Sequence, residues 1–132
     1  MYHPLIAEPV KNSIDEEACV LLTGSNASGK STFLKTAAIN ALFAQTIVTC
    51  PADSYQGSFY KIYSSMALRD DIQGAESYYI VEIRALKRIL DQAGTGAPVL
   101  CFVDEVLRGT NTVERIAASA QILKNLPGRQ VM

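Results

Sequence analysis

Gly24-Ser25-Asn26-Ala27-Ser28-Gly29-Lys30-Ser31-Thr32 follows the short apolar run Cys19-Val20-Leu21-Leu22 and leads into residues with helical spacing. The order strand, glycine-bounded loop, helix is the setting in which G-x-x-x-x-G-K-[ST] becomes a phosphate-binding loop, the Walker A motif. Two glycines let the backbone curl so that successive N–H groups face anionic oxygens. The helix starting near Lys30 adds the positive end of its dipole. In such a loop Lys30 reaches the β- and γ-phosphates, Ser31 ligates Mg²⁺, and Thr32 stays near the phosphates as a further hydroxyl donor. The nucleotide-binding set is therefore Gly24, Ser25, Asn26, Ala27, Ser28, Gly29, Lys30, Ser31 and Thr32.

The second half of that site is expected at Val99-Leu100-Cys101-Phe102-Val103, a continuous apolar run of the kind that forms a parallel strand covered on both faces. Asp104 and Glu105 follow it directly. In open parallel sheets ligands bind beyond the carboxyl ends of the strands, where both the loop and this acidic pair should emerge. Asp104 suits Mg²⁺ in the manner of a Walker B aspartate, and Glu105 suits a water in line with the γ-phosphate. The catalytic candidates are Lys30 and Glu105; the metal candidates are Ser31 and Asp104.

Around these motifs the pattern alternates strand and helix. Residues 29–46 read as a helix with Leu34, Ala37, Ala38, Ala41, Leu42 and Gln45 on one face. Ile47-Val48-Thr49-Cys50 reads as a second strand ended by Pro51. Residues 58–65 read as a strand, and residues 68–75 as irregular. A helix is expected over residues 77–93, with Tyr79, Ile83, Leu86, Leu90 and Ala93 as its apolar stripe. Gly94 to Pro98 stops it. A last helix covers residues 113–126 with Val113, Ile116, Ala120 and Leu123 on one side. Arg129-Gln130-Val131-Met132 reads as the start of a further strand. Residues 8–12, Glu8-Pro9-Val10-Lys11-Asn12, either lie across a bound base or form an edge strand.

The bulk properties narrow the class. The 132 residues make one domain, with 48% hydrophobic and 19% charged residues, an ordinary globular balance. A net charge of −1 argues against nucleic-acid binding by bulk positive charge on this domain. No apolar stretch reaches transmembrane length, and the chain does not open as a signal peptide, so no membrane partner is expected. Three cysteines, Cys19, Cys50 and Cys101, fit no metal spacing and suit a reducing cytoplasm, with Cys19 and Cys101 as small core residues. His3 reads as structural.

Residues 24–32, then 99–105, then Arg108-Gly109-Thr110-Asn111-Thr112, resemble the ATPase domain (domain V) of the MutS family, in the ABC-type class of P-loop ATPases. Asp104-Glu105-x-x-Arg108-Gly109-Thr110-Asn111-Thr112 carries most of this likeness, because ABC transporters have a different segment after the acidic pair. His3-Pro4 with Pro9-Val10, and Asp70-Asp71 with Ser77-x-Tyr79-x-x-Glu82, extend it along nearly the whole chain. The resemblance implies an α/β P-loop NTPase fold, ABC-ATPase-like, with a mostly parallel sheet flanked by helices, here truncated before the final strands of a longer protein. It implies Mg-dependent ATP binding and hydrolysis serving a DNA-binding, MutS-related protein of DNA repair or recombination. The isolated piece is expected to be nearly inactive. Two such domains would face each other as a homodimer, and DNA would be held by other domains.

In that arrangement Ser77 would be offered to the γ-phosphate of the opposed subunit, while Arg108, Thr110 and Asn111 would lie at the subunit interface. On its own terms Ser77 reads equally as a helix N-cap. Val10 matches the family region that contacts adenine. Mismatch-repair members usually have Pro at position 25, Met at 27 and Gly at 28, so this chain looks like a MutS-related paralogue. A nucleotide-dependent dimerisation switch without turnover, or an ATPase of another ABC-type DNA-repair or chromosome family, are the alternative readings.

Overall fold

The computed structural model describes residues 1–15, 19–66, 78–93, 95–96, 98–107 and 111–125. In chain order the elements are α1 (Lys30–Thr46), β1 (Lys61–Ser65), α2 (Tyr78–Ala93), β2 (Val99–Val103) and α3 (Thr112–Asn125). β1 and β2 pair in parallel, with Ile62 opposite Leu100 and Tyr63 opposite Cys101. Parallel neighbours need a crossover, and α2 lies in the connection between them.

The two-residue alternation of the strands sorts the core into two layers. On one face Leu100 and Phe102 pack with Ala37 and Ala41 of α1, and Leu34, Tyr60, Ile62 and Met66 close around them. On the other, Cys101 packs with Ile89 of α2, and Tyr63, Leu90, Ala93, Val103 and Ile122 of α3 join. The apolar run 99–103 is continuous because both faces of β2 are covered; its first four residues are fully buried. Small side chains at 37 and 41 let α1 lie close on the sheet.

Gln45 fixes the direction of α1. Its side-chain amide donates to the Tyr60 carbonyl at 3.2 Å and accepts from the Tyr60 N–H at 2.6 Å, standing in for a strand partner just ahead of β1. The end of α1 is thereby held at the start of β1, so α1 runs back along the sheet against the strand direction. At about 1.5 Å per helical residue, Lys30 lies about 22 Å from Gln45 along the helix. At about 3.3 Å per strand residue, the level of Met66 lies about 20 Å from Tyr60. Asp104 sits at that level, because its N–H donates to the Ser65 carbonyl at 2.9 Å. The start of α1 and the end of β2 therefore share one end of the sheet.

Several expectations are corrected. Cys19 to Leu22 is not a strand: Leu21 is 69% exposed and Cys19 is also exposed, so Cys19 is not a core residue. A strand needs a ladder partner for its backbone groups, and none lies beside this run among the described residues. Residues 47–50 are not a strand either. The Ile47 N–H still donates to Phe43 O at 2.9 Å, ending α1, and Val48 takes a left-handed φ of 57°, which turns the chain. The strand expected over 58–65 is confined to Lys61–Ser65. On α2, Leu86 is buried and Leu90 and Ala93 pack on the core as expected, whereas Ile83 is 37% exposed and Ile89 is buried beside the expected stripe. On α3, Val113 and Ile116 are 77% and 66% exposed, and Ile122 makes the core contact instead. The expected irregular segment 68–75 and the strand at 129–132 lie outside the described residues. Among the described residues, no helix is long and apolar enough to cross a membrane.

Candidate functional site

The loop before α1 holds its shape through three features. Gly29 is the N-cap of α1 at φ 88°, ψ 8°, a left-handed conformation that L side chains rarely adopt. A Cβ there would meet nothing within 4 Å, so the backbone angle, not space, calls for glycine. Gly24 also has a positive φ, 158°, and a Cβ there would stand 2.9 Å from the rotatable Ser28 Oγ. Ala27 accepts a left-handed φ of 62° between them.

No side chain caps α1, and its first turn carries no acidic residue. The N–H groups of a helix's first turn have no intrahelical acceptors, so this end presents donors and a positive dipole with no protein anion assigned to it. Lys30 lies in the same curl. Its Nζ donates to the carbonyls of Gly24 at 2.8 Å and Ser25 at 2.6 Å, and contacts Ser28 Oγ at 3.5 Å. Among the described residues the ammonium is ringed by neutral acceptors of its own loop and meets no carboxylate.

Beside the loop is a cavity of about 640 Å³, within the usual size for a small-molecule site. Gly24, Ser25, Ser28, Gly29, Lys30 and Thr32 line one side; Asn26, Ala27 and Ser31 do not. The opposite wall is the N-terminal segment, including His3, Ile6, Glu8, Pro9 and Val10. This segment is a closed strap. Asn12 N–H donates to Met1 O at 2.9 Å, and the Met1 amino group donates to Asn12 O at 2.7 Å. Tyr2 N–H donates to Pro51 O at 2.9 Å, and Lys11 pairs with Asp53 at 3.1 Å. Residues 8–12 form a cavity wall and no edge strand.

Asp104 and Glu105 leave β2 at the end of the sheet where α1 begins, but neither lines the cavity. The strand alternation assigns position 104 to the face carrying Leu100, Phe102 and α1. Glu105 has a left-handed φ of 50°, which turns the chain sharply after the strand. Among the described residues, no three His, Cys, Asp or Glu side chains form a cluster able to hold a metal ion. Magnesium commonly needs only one or two protein ligands beside phosphates and water.

The remaining candidates separate. Asn111 caps α3, its Oδ1 accepting from Glu114 N–H at 3.0 Å and its carbonyl from Arg115 N–H at 3.0 Å. Ser77, Arg108 and Thr110 lie outside the described residues. Several lining residues were not singled out as such from sequence: Leu22, Thr23 and Phe33 beside the loop, Ile6 in the strap, and also Thr36 and His3. Thr36 is buried on α1 and donates to Thr32 O at 2.7 Å, and His3 sits in the strap. The polar pair Thr36 and Asn40, four apart beside Ala37 and Ala41, was the available signal for the α1 side.

Comparison with known proteins gives a consistent family. Residues 20–131 match MutS domain V. The DNA mismatch repair protein MutS of Thermus aquaticus is 35% identical over 97% of this chain and 16% of its own length. MutS of Pseudothermotoga lettingae is 36% identical over 80% of this chain and 13% of its own. MutS of Thermotoga maritima is 32% identical over 94% and 16%. The chain thus spans at most 16% of the length of these relatives. No solved structure matches the chain.

Proposed function

The chain belongs to the MutS family, as its domain V, and on that premise we propose that it binds Mg-ATP at residues 24–32 and hydrolyses it in the service of a DNA-processing protein, as an ABC-type P-loop ATPase. One observation carries the reading: Lys30 curls into a ring of loop acceptors beneath a helix start with no cap and no first-turn acid. An anion entering that curl gains the first-turn N–H groups, the helix dipole and the ammonium together.

In this reading Lys30 exchanges its loop carbonyls for β- and γ-phosphate oxygens. Ser31 and Asp104 hold the magnesium ion, which when bound neutralises charge developing on the phosphates. Glu105 orients the attacking water and accepts its proton. Val10 and the strap face the base. Ser77, Arg108, Thr110 and Asn111 meet a second copy across the paired domains. DNA is engaged by other parts of a longer, MutS-like protein, with mismatch repair the process named for the relatives. Serine, alanine and serine at 25, 27 and 28 set this loop apart from the usual mismatch-repair pattern.

A second reading has a specific observation in its favour. Asp104 and Glu105 do not line the cavity, which suits a switch that binds nucleotide and pairs its subunits without turnover. Phosphate release measured on the intact protein separates the two.

The binding claim is tested by thermal unfolding. Mg-ATP at a hundred times its dissociation constant should stabilise the folded chain by about 2.7 kcal/mol. Lys30→Ala should remove most of that gain. A folded chain with no shift under saturating Mg-ATP would overturn the reading.

A further inference from the structure

Asn40 is a polar residue in the apolar seam of α1, 2% exposed, one residue from Ala41 and near Ala37. Both hydrogens of its amide are used. Nδ2 donates to Thr36 O at 2.9 Å within the helix and to Tyr2 O at 3.4 Å in the strap. Its Oδ1 is buried with no hydrogen-bond partner. A buried amide oxygen without a donor is unfavourable, so this asparagine is a poor choice for packing alone. The gain it brings is the bond to Tyr2, the tie that joins the strap to the phosphate-loop helix from inside the protein.

The strap's other ties are weaker or act elsewhere. The Lys11–Asp53 pair is exposed on both sides, 67% and 75%, and such pairs contribute little. The bonds between Met1 and Asn12 close the strap on itself, and the Tyr2–Pro51 bond joins it to the loop after α1, not to the helix. Among these hydrogen bonds, that of Asn40 joins the strap to the element that begins with Lys30, beside the apolar packing of Met1 on the cluster of Ala37 and Ala41.

We propose that Asn40 is a positioning residue for the base-facing side of the cavity: by holding Tyr2 it sets the separation between the strap residues Ile6 and Val10 and the phosphate loop. The proposal rests on the nucleotide-binding reading above and adds a division of labour to it. The loop binds the polyphosphate without help from the strap. The contact between strap and base depends on Asn40. Because the same residue carries an unsatisfied oxygen, its removal should affect folding and binding in opposite directions.

The test uses the intact protein with two probes, Mg-ATP and Mg-tripolyphosphate, the second lacking base and sugar. In Asn40→Leu the unfolding temperature should hold or rise. Affinity for Mg-ATP should fall by up to about tenfold, the worth of one hydrogen bond, while affinity for Mg-tripolyphosphate stays unchanged. Val10→Ser should weaken Mg-ATP in the unsubstituted background and add nothing in Asn40→Leu. Asn40→Ala, which any helix accommodates, gives the same comparison should leucine overfill the seam. Equal loss with both probes, or no loss with Mg-ATP, would overturn the proposal. Absence of tripolyphosphate binding in the unsubstituted protein would remove the underlying site, and the proposal with it.

Discussion

Cys101 is 1% exposed, and burial pushes its thiol from the ordinary 9.0 up to about 12, with nearby Cys19 adding to the shift. The folded state therefore holds a proton that the unfolded state gives up near pH 9. Below that pH the contribution to stability is whole; it is lost as the pH rises from about 9 towards 12. Denaturant midpoints measured from about pH 8 to about pH 10.5 should fall, and Cys101→Val should flatten that fall, since valine has no proton to lose. An unchanged slope in the variant would assign the fall to other groups. The glycines show how much of this scale is legible beforehand. That residues 24 and 29 must be glycine follows from the motif. That Gly29 answers to its left-handed φ alone, while Gly24 combines a positive φ with a close approach to Ser28, follows only from the backbone. His3 read as structural, and its Nδ1 accepts from Leu5 N–H at 3.2 Å; that it also lines the cavity was not legible, because nothing local reveals which segment folds over the loop.

At the scale of elements, α1 lies close on the sheet because Ala37 and Ala41 are small where Leu100 and Phe102 are large. Ala41→Leu should overfill this seam and lower stability by about 1–3 kcal/mol, measured by denaturant unfolding. A neutral result would mean that α1 has room to move off the sheet. The helices were legible in the sequence to within a residue or two because their periodicity and stop signals are local. The strand at 99–103 was legible in full from its apolar run, and the one expected over 58–65 formed only over Lys61–Ser65. Ile47-Val48 has strand-forming residues but serves as the end of α1 and the turn after it. Cys19 to Leu22 has the apolar run but no ladder among the described residues, and a run without a ladder is not a strand.

At the scale of the molecule, the Gln45–Tyr60 clamp makes α1 run against the strands, which brings Lys30 and the carboxylates at 104 and 105 to one end of the sheet. The hydrolytic reading needs those carboxylates to reach a common ion with the loop. In the intact protein, Glu105→Gln should therefore bind ATP with near-normal affinity but retain it unhydrolysed, and copies paired through this domain should stay paired. Phosphate release and sedimentation with ATP check both points. Turnover at the unsubstituted rate would remove Glu105 from the chemistry and favour the switch.

The sequence by itself determined the helices, the buried strand 99–103 and a glycine-bounded loop ahead of α1, since each rests on neighbours a few residues apart. Family membership was legible for the same reason, in short runs such as residues 24–32 and 104–112. Only the tertiary structure decided the rest: which runs become strands, which way α1 points, and that residues 1–12 close over the loop through Tyr2 and Asn40. Those outcomes depend on hydrogen-bond partners far apart in sequence, such as Gln45 with Tyr60, 15 residues apart, and Asn40 with Tyr2, 38 apart. Residue order alone leaves such pairings open until the chain has closed.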